Sequence, residues 1–266
     1  MPVSRHSPAS DKIALFRSLF RGREDVYPHR FVSKKTGIAG YSPVCGHEWV
    51  RGICEKPRIK CSACPHQNWL PVTETVIRDH LSGKIVAGVY PMMLDETCYF
   101  LAVDFDGDSW VDDSSAFLET CREKEIPAAL ERSRSGKGGH LWLFFAEAVP
   151  AFLARNLASH LLTETTERRP QTTFASYDRF FPNQNTLPRG GFGNLIALPL
   201  QKEARRSGNS VFIDDDLRPF RDQWAYLDSL ARISGKQLES LVAQASSRDR
   251  ILAIRAVPLD EDEATE

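Results

Sequence analysis

Residues 101–106 read Leu-Ala-Val-Asp-Phe-Asp, an apolar run that ends in two carboxylates two positions apart. Because side chains alternate between the two faces of a β-strand, we expect Asp104 and Asp106 to point to the same face. Two acidic groups aimed together repel each other unless a cation lies between them. Oxygen ligands of this kind suit Mg²⁺ or Mn²⁺ better than zinc. The run therefore predicts a strand that carries the first half of a metal site, with a solvated Asp-x-Asp turn as the alternative.

The bulk properties exclude several classes of protein. With 266 residues, 42% of them hydrophobic, the chain can bury a core as one large domain or two small ones. A formal net charge of −1 means that any contact with nucleic acid must be local. No run approaches the roughly 18 apolar residues of a membrane span, and residues 1–11 lack the apolar core of a signal peptide. We therefore expect a globular, cytoplasmic protein with no membrane partner.

Hydrophobic periodicity predicts helices and strands that alternate along the chain. Thr73 and Gly83 are of the residue types that cap helices, so they bound one predicted helix. The predicted helices cover residues 11–21, 73–83, 112–125, 150–163, 220–231 and 236–245, and the later predicted strands cover residues 128–133, 141–145, 172–177, 195–200 and 211–213. This order of elements indicates an α/β or α+β core.

The chain divides into five predicted regions. Residues 1–40 are expected to form an N-terminal helical segment, residues 41–71 a zinc-binding module and residues 72–222 the catalytic core. Residues 223–250 are expected to form C-terminal helices. The acidic composition of residues 251–266 predicts a disordered tail.

Four of the six cysteines fall within twenty residues, at Cys45, Cys54, Cys61 and Cys64. In a chain without an export signal, such clustering favours a metal over disulfides. The closing Cys-x-x-Cys lets two thiolates share one tetrahedral Zn²⁺, and His47 or His66 can each replace a cysteine as ligand. Four protein ligands leave no open position, so we expect the zinc to be structural rather than catalytic. A redox-active Cys-x-x-Cys is the alternative.

Basic and aromatic residues surround the cysteines, at Trp49, Lys56, Arg58, Lys60 and Trp69. Such a mixture can hold a phosphate backbone and stack on a base. The same residues can also serve only to solvate and pack a small module in which a metal replaces the hydrophobic core. The sequence leaves both readings open.

A glycine-rich, basic loop precedes the apolar strand at residues 141–145. Its three glycines allow backbone N–H groups to approach an anion closely, while Arg134 and Lys137 supply positive charge and Ser135 a hydroxyl donor. His140, at the start of the strand, can donate to a phosphate oxygen. The Gly-Lys pair leads into a strand rather than into Ser/Thr and a helix, so this is not a Walker loop. The loop predicts a phosphate site, with an ordinary hairpin turn as the alternative.

A third carboxylate, Asp178, closes a predicted strand and is expected to complete the acidic site. We prefer it to the acidic run at residues 214–216, which is typical of a solvated turn. Several polar residues flank this region and are candidates for binding a triphosphate or a nucleic-acid backbone. They are Arg189, Gln201, Lys202, Arg205 and Arg206.

Three short motifs, in this order, resemble those of the archaeo-eukaryotic primase superfamily. They are Val-Asp-Phe-Asp at residues 103–106, Ser-Gly-Lys-Gly-Gly-His at residues 135–140 and Tyr-Asp at residues 177–178. The wider sequence over residues 27–242 is similar to the primase domain of TOTE conflict systems, and the segments that carry this similarity are residues 54–61, 131–136 and 190–201. Gly138 stands where the common Ser-x-His form of the second motif has its serine.

This resemblance implies a fold and a set of roles. The fold would be an α+β primase-like core, an RNA-recognition-like sheet packed against a second α/β lobe, with the zinc-binding module inserted. The three motif carboxylates would bind Mg²⁺ or Mn²⁺, while Ser135, Lys137 and His140 would hold the phosphates of the incoming nucleotide. Members of the family are often joined to a helicase, which is a candidate partner.

The predicted function is that of a DNA primase-polymerase, which transfers nucleotides from NTPs or dNTPs on single-stranded or primer–template DNA. Two divalent ions held by three carboxylates suit this chemistry. A metal-dependent nuclease is the first alternative, but the acidic pair has no nearby lysine to serve as a general base. The second alternative is a zinc-containing adaptor that binds nucleic acid and has an inactive core. The intact acidic residues argue against it.

Overall fold

The structure, a computed structural model, describes residues 2–169, 174–187 and 190–246. In these ranges the helices are α1 (Ala9–Leu19), α2 (Glu74–Ser82), α3 (Trp110–Glu123), α4 (Ala151–Arg168), α5 (Lys202–Arg206), α6 (Gln223–Ser229) and α7 (Gly235–Ser246). The strands are β1 (Pro28–Val32), β2 (Ala39–Pro43), β3 (Gly88–Val89), β4 (Thr97–Asp106), β5 (Ala129–Arg132), β6 (Gly138–Pro150), β7 (Tyr177–Phe181), β8 (Ile196–Ala197) and β9 (Val211–Phe212). None of the helices described is both long and apolar enough to cross a membrane.

The core is built on an antiparallel sheet with the strand order β7-β4-β6-β5-β9. Helix α3 covers one face, where Phe117 packs against Phe105 of β4. On the other face, Phe20 at the end of α1 meets the rings of Trp142 and Phe144 of β6 edge-on. The two central strands are therefore covered on both faces, which explains their long buried runs. The predicted mixture of a sheet and helices is confirmed.

Two short sheets accompany the main sheet. Strands β1 and β2 form a hairpin, and β3 pairs with β8. A bridge between His29 and Ala87 connects the hairpin to β3, and the N–H of Arg30 donates to the carbonyl of Val86 at 2.8 Å. The N-terminal hairpin is therefore hydrogen-bonded to the segment that leads into β3, which pairs with β8.

The two ends of the cysteine-rich segment lie side by side and are joined by backbone hydrogen bonds. The N–H of Gly46 donates to the carbonyl of Asn68 at 2.8 Å, and that of Leu70 to Val44 at 3.1 Å. Between these points the only regular element is a 3-10 turn at Cys61–Ala63. No side chain of residues 41–70 is buried. The segment is therefore an insertion that has no hydrophobic core of its own.

The sequence predicted the ends of several elements well. The Thr73 hydroxyl accepts from the N–H of Val76 at 3.3 Å and Gly83 ends the helix with φ 91°, so both predicted caps of α2 are confirmed. The acidic run at residues 214–216 is the predicted turn, in which Asp214 Oδ1 accepts from the N–H of Asp216 at 3.0 Å. Short polar side chains in such positions stabilise turns because they hydrogen-bond the nearby backbone.

The glycine-rich loop is shorter than predicted because two of its glycines belong to β6. Gly138 pairs with Asp106, and Gly139 pairs with Phe105. A Cβ on Gly138 would lie 2.3 Å from Asp106 Oδ1, and one on Gly139 would lie 2.8 Å from the Trp110 ring. These two glycines are therefore required by close packing against Asp106 and against Trp110 of α3, while a phosphate-binding role for the loop stays a prediction.

Other boundaries differ from the prediction. The predicted helix at residues 150–163 continues to Arg168, and the predicted strand at 195–200 is only Ile196–Ala197. Of the strand predicted at 172–177, residues 172 and 173 lie outside the described residues, residues 174–176 are not in a strand, and β7 begins at Tyr177. The predicted tail, residues 251–266, lies outside the described residues.

The N-terminal region was predicted as helical, but it contains the strand β1, and its boundary at residue 40 falls inside β2. This hairpin was missed because its strands are mostly only partly buried and their apolar and polar residues do not alternate.

Candidate active site

Asp104 and Asp106 occupy the end of β4, on the face opposite α3. In the strand register Asp104 lies across from His140 of β6, and Asp106 lies across from Gly138. The side chains of Asp104 and His140 are 13% and 12% exposed, whereas Asp106 is open to solvent. The predicted strand therefore carries one largely buried and one exposed carboxylate on the same face.

His140 lies between two carboxylates. Its Nδ1 is 3.0 Å from Glu131 Oε2, and its Nε2 is 3.5 Å from Asp104 Oδ1. Glu131, on β5, is buried and also accepts from Trp142 Nε1 at 2.9 Å. Because Glu131 engages Nδ1, Nε2 is the ring nitrogen that faces Asp104, and it donates there when the imidazole is protonated. Sequence analysis missed Glu131, although an acidic residue inside the apolar strand at residues 128–133 was a signal for it.

The electrostatics of the site couple these groups. Burial raises the pKa of Asp104 to about 6. The positive charge of His140 opposes this effect, and the negative charges of Asp106 and Asp178 add to it. Burial alone would lower the pKa of His140, but the charge and hydrogen bond of Glu131, with smaller effects of the aspartates, raise it to about 9. At neutral pH the imidazole is therefore positively charged.

Strand β7 brings Asp178 to the same edge. It pairs with β4 on the side away from β6, and its register is irregular between Val103 and Phe105, the interval that contains Asp104. Asp178 is 41% exposed, and its Oδ2 accepts from Arg179 Nε at 2.7 Å. Since its charge raises the pKa of Asp104, the third predicted carboxylate acts on the first.

These oxygen donors fit a divalent cation by their chemistry and charge. Three carboxylates carry more negative charge than His140 offsets, and hard cations prefer such ligands. In the parts of the chain that the structure describes, no group of three or more His, Cys, Asp or Glu side chains is arranged to hold a metal ion. The acidic edge therefore has the residue types that bind a divalent cation, but its described side chains are not arranged around a common ion position.

The turn before β6 is held by serine hydroxyls. Ser135 Oγ accepts from the N–H of Lys137 at 3.1 Å and lies 3.0 Å from Ser133 Oγ. The side chains of Ser135 and Lys137 are exposed. Because Gly138 pairs with Asp106, this turn lies at the acidic end of the sheet. The predicted phosphate-binding residues and the carboxylates thus share one end of the fold.

Arg134 of the same turn contacts the N-terminal hairpin. It hydrogen-bonds Tyr41 of β2, and burial raises the pKa of that phenol. Sequence analysis did not connect these two segments, because Tyr41 lies in the hairpin that it missed. The hairpin therefore packs beside the predicted phosphate-binding turn.

The other candidate binding residues occupy structural positions. The buried Gln201 accepts from a backbone N–H as the N-cap of α5, which begins at Lys202. Arg205 donates to a backbone carbonyl, and Arg206 forms a salt bridge within the same helix. Arg189 lies outside the described residues. A role for these residues in nucleotide binding stays a prediction.

The clustered cysteines converge on one cavity. Its lining includes all the predicted zinc ligands, namely Cys45, His47, Cys54, Cys61, Cys64 and His66. None of the cysteines forms a disulfide. The backbone N–H groups of His47 and His66 each donate to a cysteine sulfur two residues earlier, at 3.4 Å. The cavity gathers the ligand types of a zinc site, but within the residues described it does not arrange them as one, so the predicted zinc module is not shown.

Comparison with known proteins gives a family. Residues 11–241 match the family model described as TOTE conflict system, Archaeo-Eukaryotic Primase domain. No curated protein matches the sequence. Among solved structures, the chain is similar to the polymerase domain from Mycobacterium tuberculosis Ligase D in complex with DNA, with 11% identity and a TM-score of 0.41 over 90% of this chain and 88% of that chain. A similarity this weak supports no argument about chemistry.

Proposed function

Because the chain belongs to the archaeo-eukaryotic primase domain family of TOTE conflict systems, we propose that it is a template-dependent DNA primase-polymerase. This family is one of primase-polymerases, which are nucleotidyltransferases and generally use Mg²⁺ or Mn²⁺. The proposed substrates are NTPs or dNTPs with a single-stranded or primed DNA template. The observation that carries the proposal is the pairing of Asp104 with His140 on neighbouring strands, with Asp106 and Asp178 at the same edge.

Asp104, Asp106 and Asp178 are the proposed ligands of the divalent ions. Such ions, when bound, neutralise phosphate charge and activate the attacking 3′-oxygen. Asp104 has the most to gain from a cation, because its charged form is disfavoured by burial and by its acidic neighbours. Asp106 and Asp178 are exposed, so they are accessible to a nucleotide that arrives with its metal.

His140 and the turn before β6 are the proposed binding site for the nucleotide phosphates. In the reaction the 3′-oxygen bonds to the α-phosphorus and loses its proton, while the bond from that phosphorus to pyrophosphate breaks. Positive charge near the departing pyrophosphate stabilises the negative charge that develops on it. The imidazolium of His140 and the ammonium of Lys137 supply this charge, and Ser135 supplies a hydroxyl donor.

Zinc is the proposed ligand of the cysteine cavity. The support is the convergence of four thiols on one cavity in a segment where none of residues 41–70 is buried. A small module without a hydrophobic core needs another source of folding energy, and a tetrahedral Zn²⁺ with thiolate ligands would provide it. Trp49 is 67% exposed, and Lys56 Nζ lies 5.8 Å from the centre of its ring. These two residues form a surface on which a base can stack.

The proposal is tested by incubating the purified chain with labelled nucleotides, Mn²⁺ or Mg²⁺, and a DNA template with and without a primer. Extension of the primer supports a polymerase, and products in the unprimed reaction support a primase. Shortening of the DNA would instead identify a metal-dependent nuclease. Retarded migration of DNA with no change in its length would identify a binding adaptor with an inactive core.

A further inference from the structure

A second buried carboxylate lies behind the acidic edge. Asp113, in the first turn of α3, is 2% exposed. Its Oδ2 accepts from the hydroxyl of Ser109 at 2.9 Å, from the hydroxyl of Ser176 at 2.5 Å and from the N–H of Ser176 at 3.1 Å. One oxygen thus binds the start of α3 to the residue that precedes β7. Sequence analysis did not single out either Asp113 or Ser176.

Ser176 connects this carboxylate to both acidic strands. Its carbonyl accepts from the N–H of Asp106 at 2.6 Å, and Asp178 follows two residues later on β7. Ser176 is 2% exposed, so its hydrogen bonds are shielded from water. All three of its polar groups are therefore engaged: two by Asp113, and one by the backbone of Asp106.

We propose that Asp113 and Ser176 are positioning residues that fix Asp178 relative to Asp104 and Asp106. The β7–β4 register is irregular near Asp104, so strand pairing alone determines the place of Asp178 less tightly than it determines that of His140. The Asp113–Ser176 contact supplies the missing constraint from the helix side. This inference rests on the proposed function, because it assigns a role in assembling the same carboxylate set.

The competing explanation is that Asp113 only stabilises α3. An acidic residue in the first turn interacts favourably with the helix dipole, and the bond from Ser109 is local to that turn. The two explanations differ in which hydroxyl matters. If Asp113 serves only the helix, loss of the Ser109 hydroxyl and loss of the Ser176 hydroxyl should have the same effect.

Ser176→Ala and Ser109→Ala make a matched pair, because each removes one hydroxyl that donates to the same oxygen. Residues that orient metal ligands typically change metal affinity by about 10- to 100-fold when removed. We expect Ser176→Ala to weaken Mn²⁺ binding about tenfold, and to raise by a similar factor the Mn²⁺ concentration that gives half-maximal nucleotide incorporation. Excess Mn²⁺ should restore most of the maximal rate. Ser109→Ala should bind Mn²⁺ as the wild type does.

Mn²⁺ binding is counted directly from the electron paramagnetic resonance signal of the free ion, and thermal unfolding is measured for each variant without metal. Equal Mn²⁺ affinities for the two serine variants would overturn the positioning role while leaving the proposed function intact. An Asp104→Asn/Asp106→Asn protein that binds Mn²⁺ as tightly as the wild type would overturn both. Asp113→Asn, which keeps the side-chain size, should resemble Ser176→Ala if it folds. Should it unfold, the two serine variants decide the question alone.

Discussion

The acidic edge of the main sheet and the cysteine-rich insertion carry the two sets of candidate metal ligands, and they are built in opposite ways. Around the acidic edge, β4 is buried along most of its length, and strand pairing sets Asp104 beside His140. In the insertion no side chain of residues 41–70 is buried, and the chain is mostly turns. Packing and strand pairing position the candidate ligands of the acidic edge, whereas the insertion has no buried core to position its own.

The difference shows what each region requires from a metal. The sheet is packed through its buried strands, so a cation there would serve chemistry and would relieve the repulsion between carboxylates. The insertion buries too little apolar surface to offset the entropy of ordering its backbone. A metal in the insertion would therefore contribute folding energy directly, as structural zinc does in small domains. Removal of the ligands should therefore destabilise the insertion but stabilise the metal-free sheet.

The largest expected effect is on the insertion. Replacing Cys61 and Cys64 with Ser should abolish Zn²⁺ binding, which in small zinc modules is worth roughly 10 kcal/mol or more. Hydrogen exchange in residues 45–69 should then become fast while β4 and β6 stay protected. Metal content is measured by mass spectrometry of the full chain, with Ser62→Ala in the same turn as the control. A wild-type protein without zinc, or a variant with an unchanged insertion, would contradict this account.

Next in size is an acid-dependent loss of stability that belongs to the core. His80 on α2 is fully buried, its Nδ1 accepts from the N–H of Ala87, and burial lowers its pKa to about 4. The folded state resists protonation, so this contribution is complete above pH 6.5 and is lost as the pH falls towards 4, by about 3 kcal/mol. His80→Gln should flatten the dependence of unfolding free energy on pH in this window, and His6→Gln at an exposed site should not. An unchanged slope in His80→Gln would disprove the assignment.

A smaller effect, opposite in sign, is expected at the acidic edge. The raised pKa of Asp104 means that its charged form destabilises the folded state above pH 6. Asp104→Asn should therefore increase the free energy of unfolding at pH 7 by about 1 to 2 kcal/mol, a gain reduced because His140 loses a partner. Chemical denaturation of the metal-free protein measures it, with the exposed Asp108→Asn as control. Destabilisation by Asp104→Asn would show that the carboxylate supports the fold.

The smallest effect concerns the exposed surface of the insertion. If Trp49 stacks on a template base, Trp49→Ala should weaken binding of single-stranded DNA by about 1 kcal/mol, roughly fivefold in Kd. Trp49→Phe keeps an aromatic face and should retain most of the affinity. Fluorescence anisotropy with a labelled oligonucleotide measures both variants. Equal affinities for wild type and Trp49→Ala would assign Trp49 no part in DNA binding.

The same contrast explains what could be predicted from the sequence. The common face of Asp104 and Asp106 and the caps of α2 follow from local periodicity and residue type, so they were predictable. Ser176 was not, because its role arises from a contact with Asp113, which is distant along the chain. Glu131 was marked only as an acidic residue inside an apolar strand, and its contact with His140 needs the pairing of β5 with β6. The steric need for glycine at two of the loop positions was not predictable, since only the packing of β6 against β4 and α3 shows what a side chain there would strike.

The cysteine spacing indicated ligand types but could not give their arrangement. In the insertion, pairing is limited to the bridge between Cys45 and Trp69 and no side chain is buried, so a bound ion would determine the ligand geometry. The N-terminal hairpin was missed for a related reason. Its strands lack the apolar alternation by which a half-buried strand is recognised.

The central claim is that the acidic edge is a metal-dependent nucleotidyl-transfer site, and single-nucleotide incorporation on a primed template tests it most directly. The wild type should incorporate in the presence of Mn²⁺ and stop when the metal is chelated. Asp104→Asn/Asp106→Asn should be slower by on the order of 1,000-fold, because a metal ion supplies several kcal/mol and each 1.4 kcal/mol is tenfold in rate. Incorporation by the double variant at the wild-type rate would contradict the account.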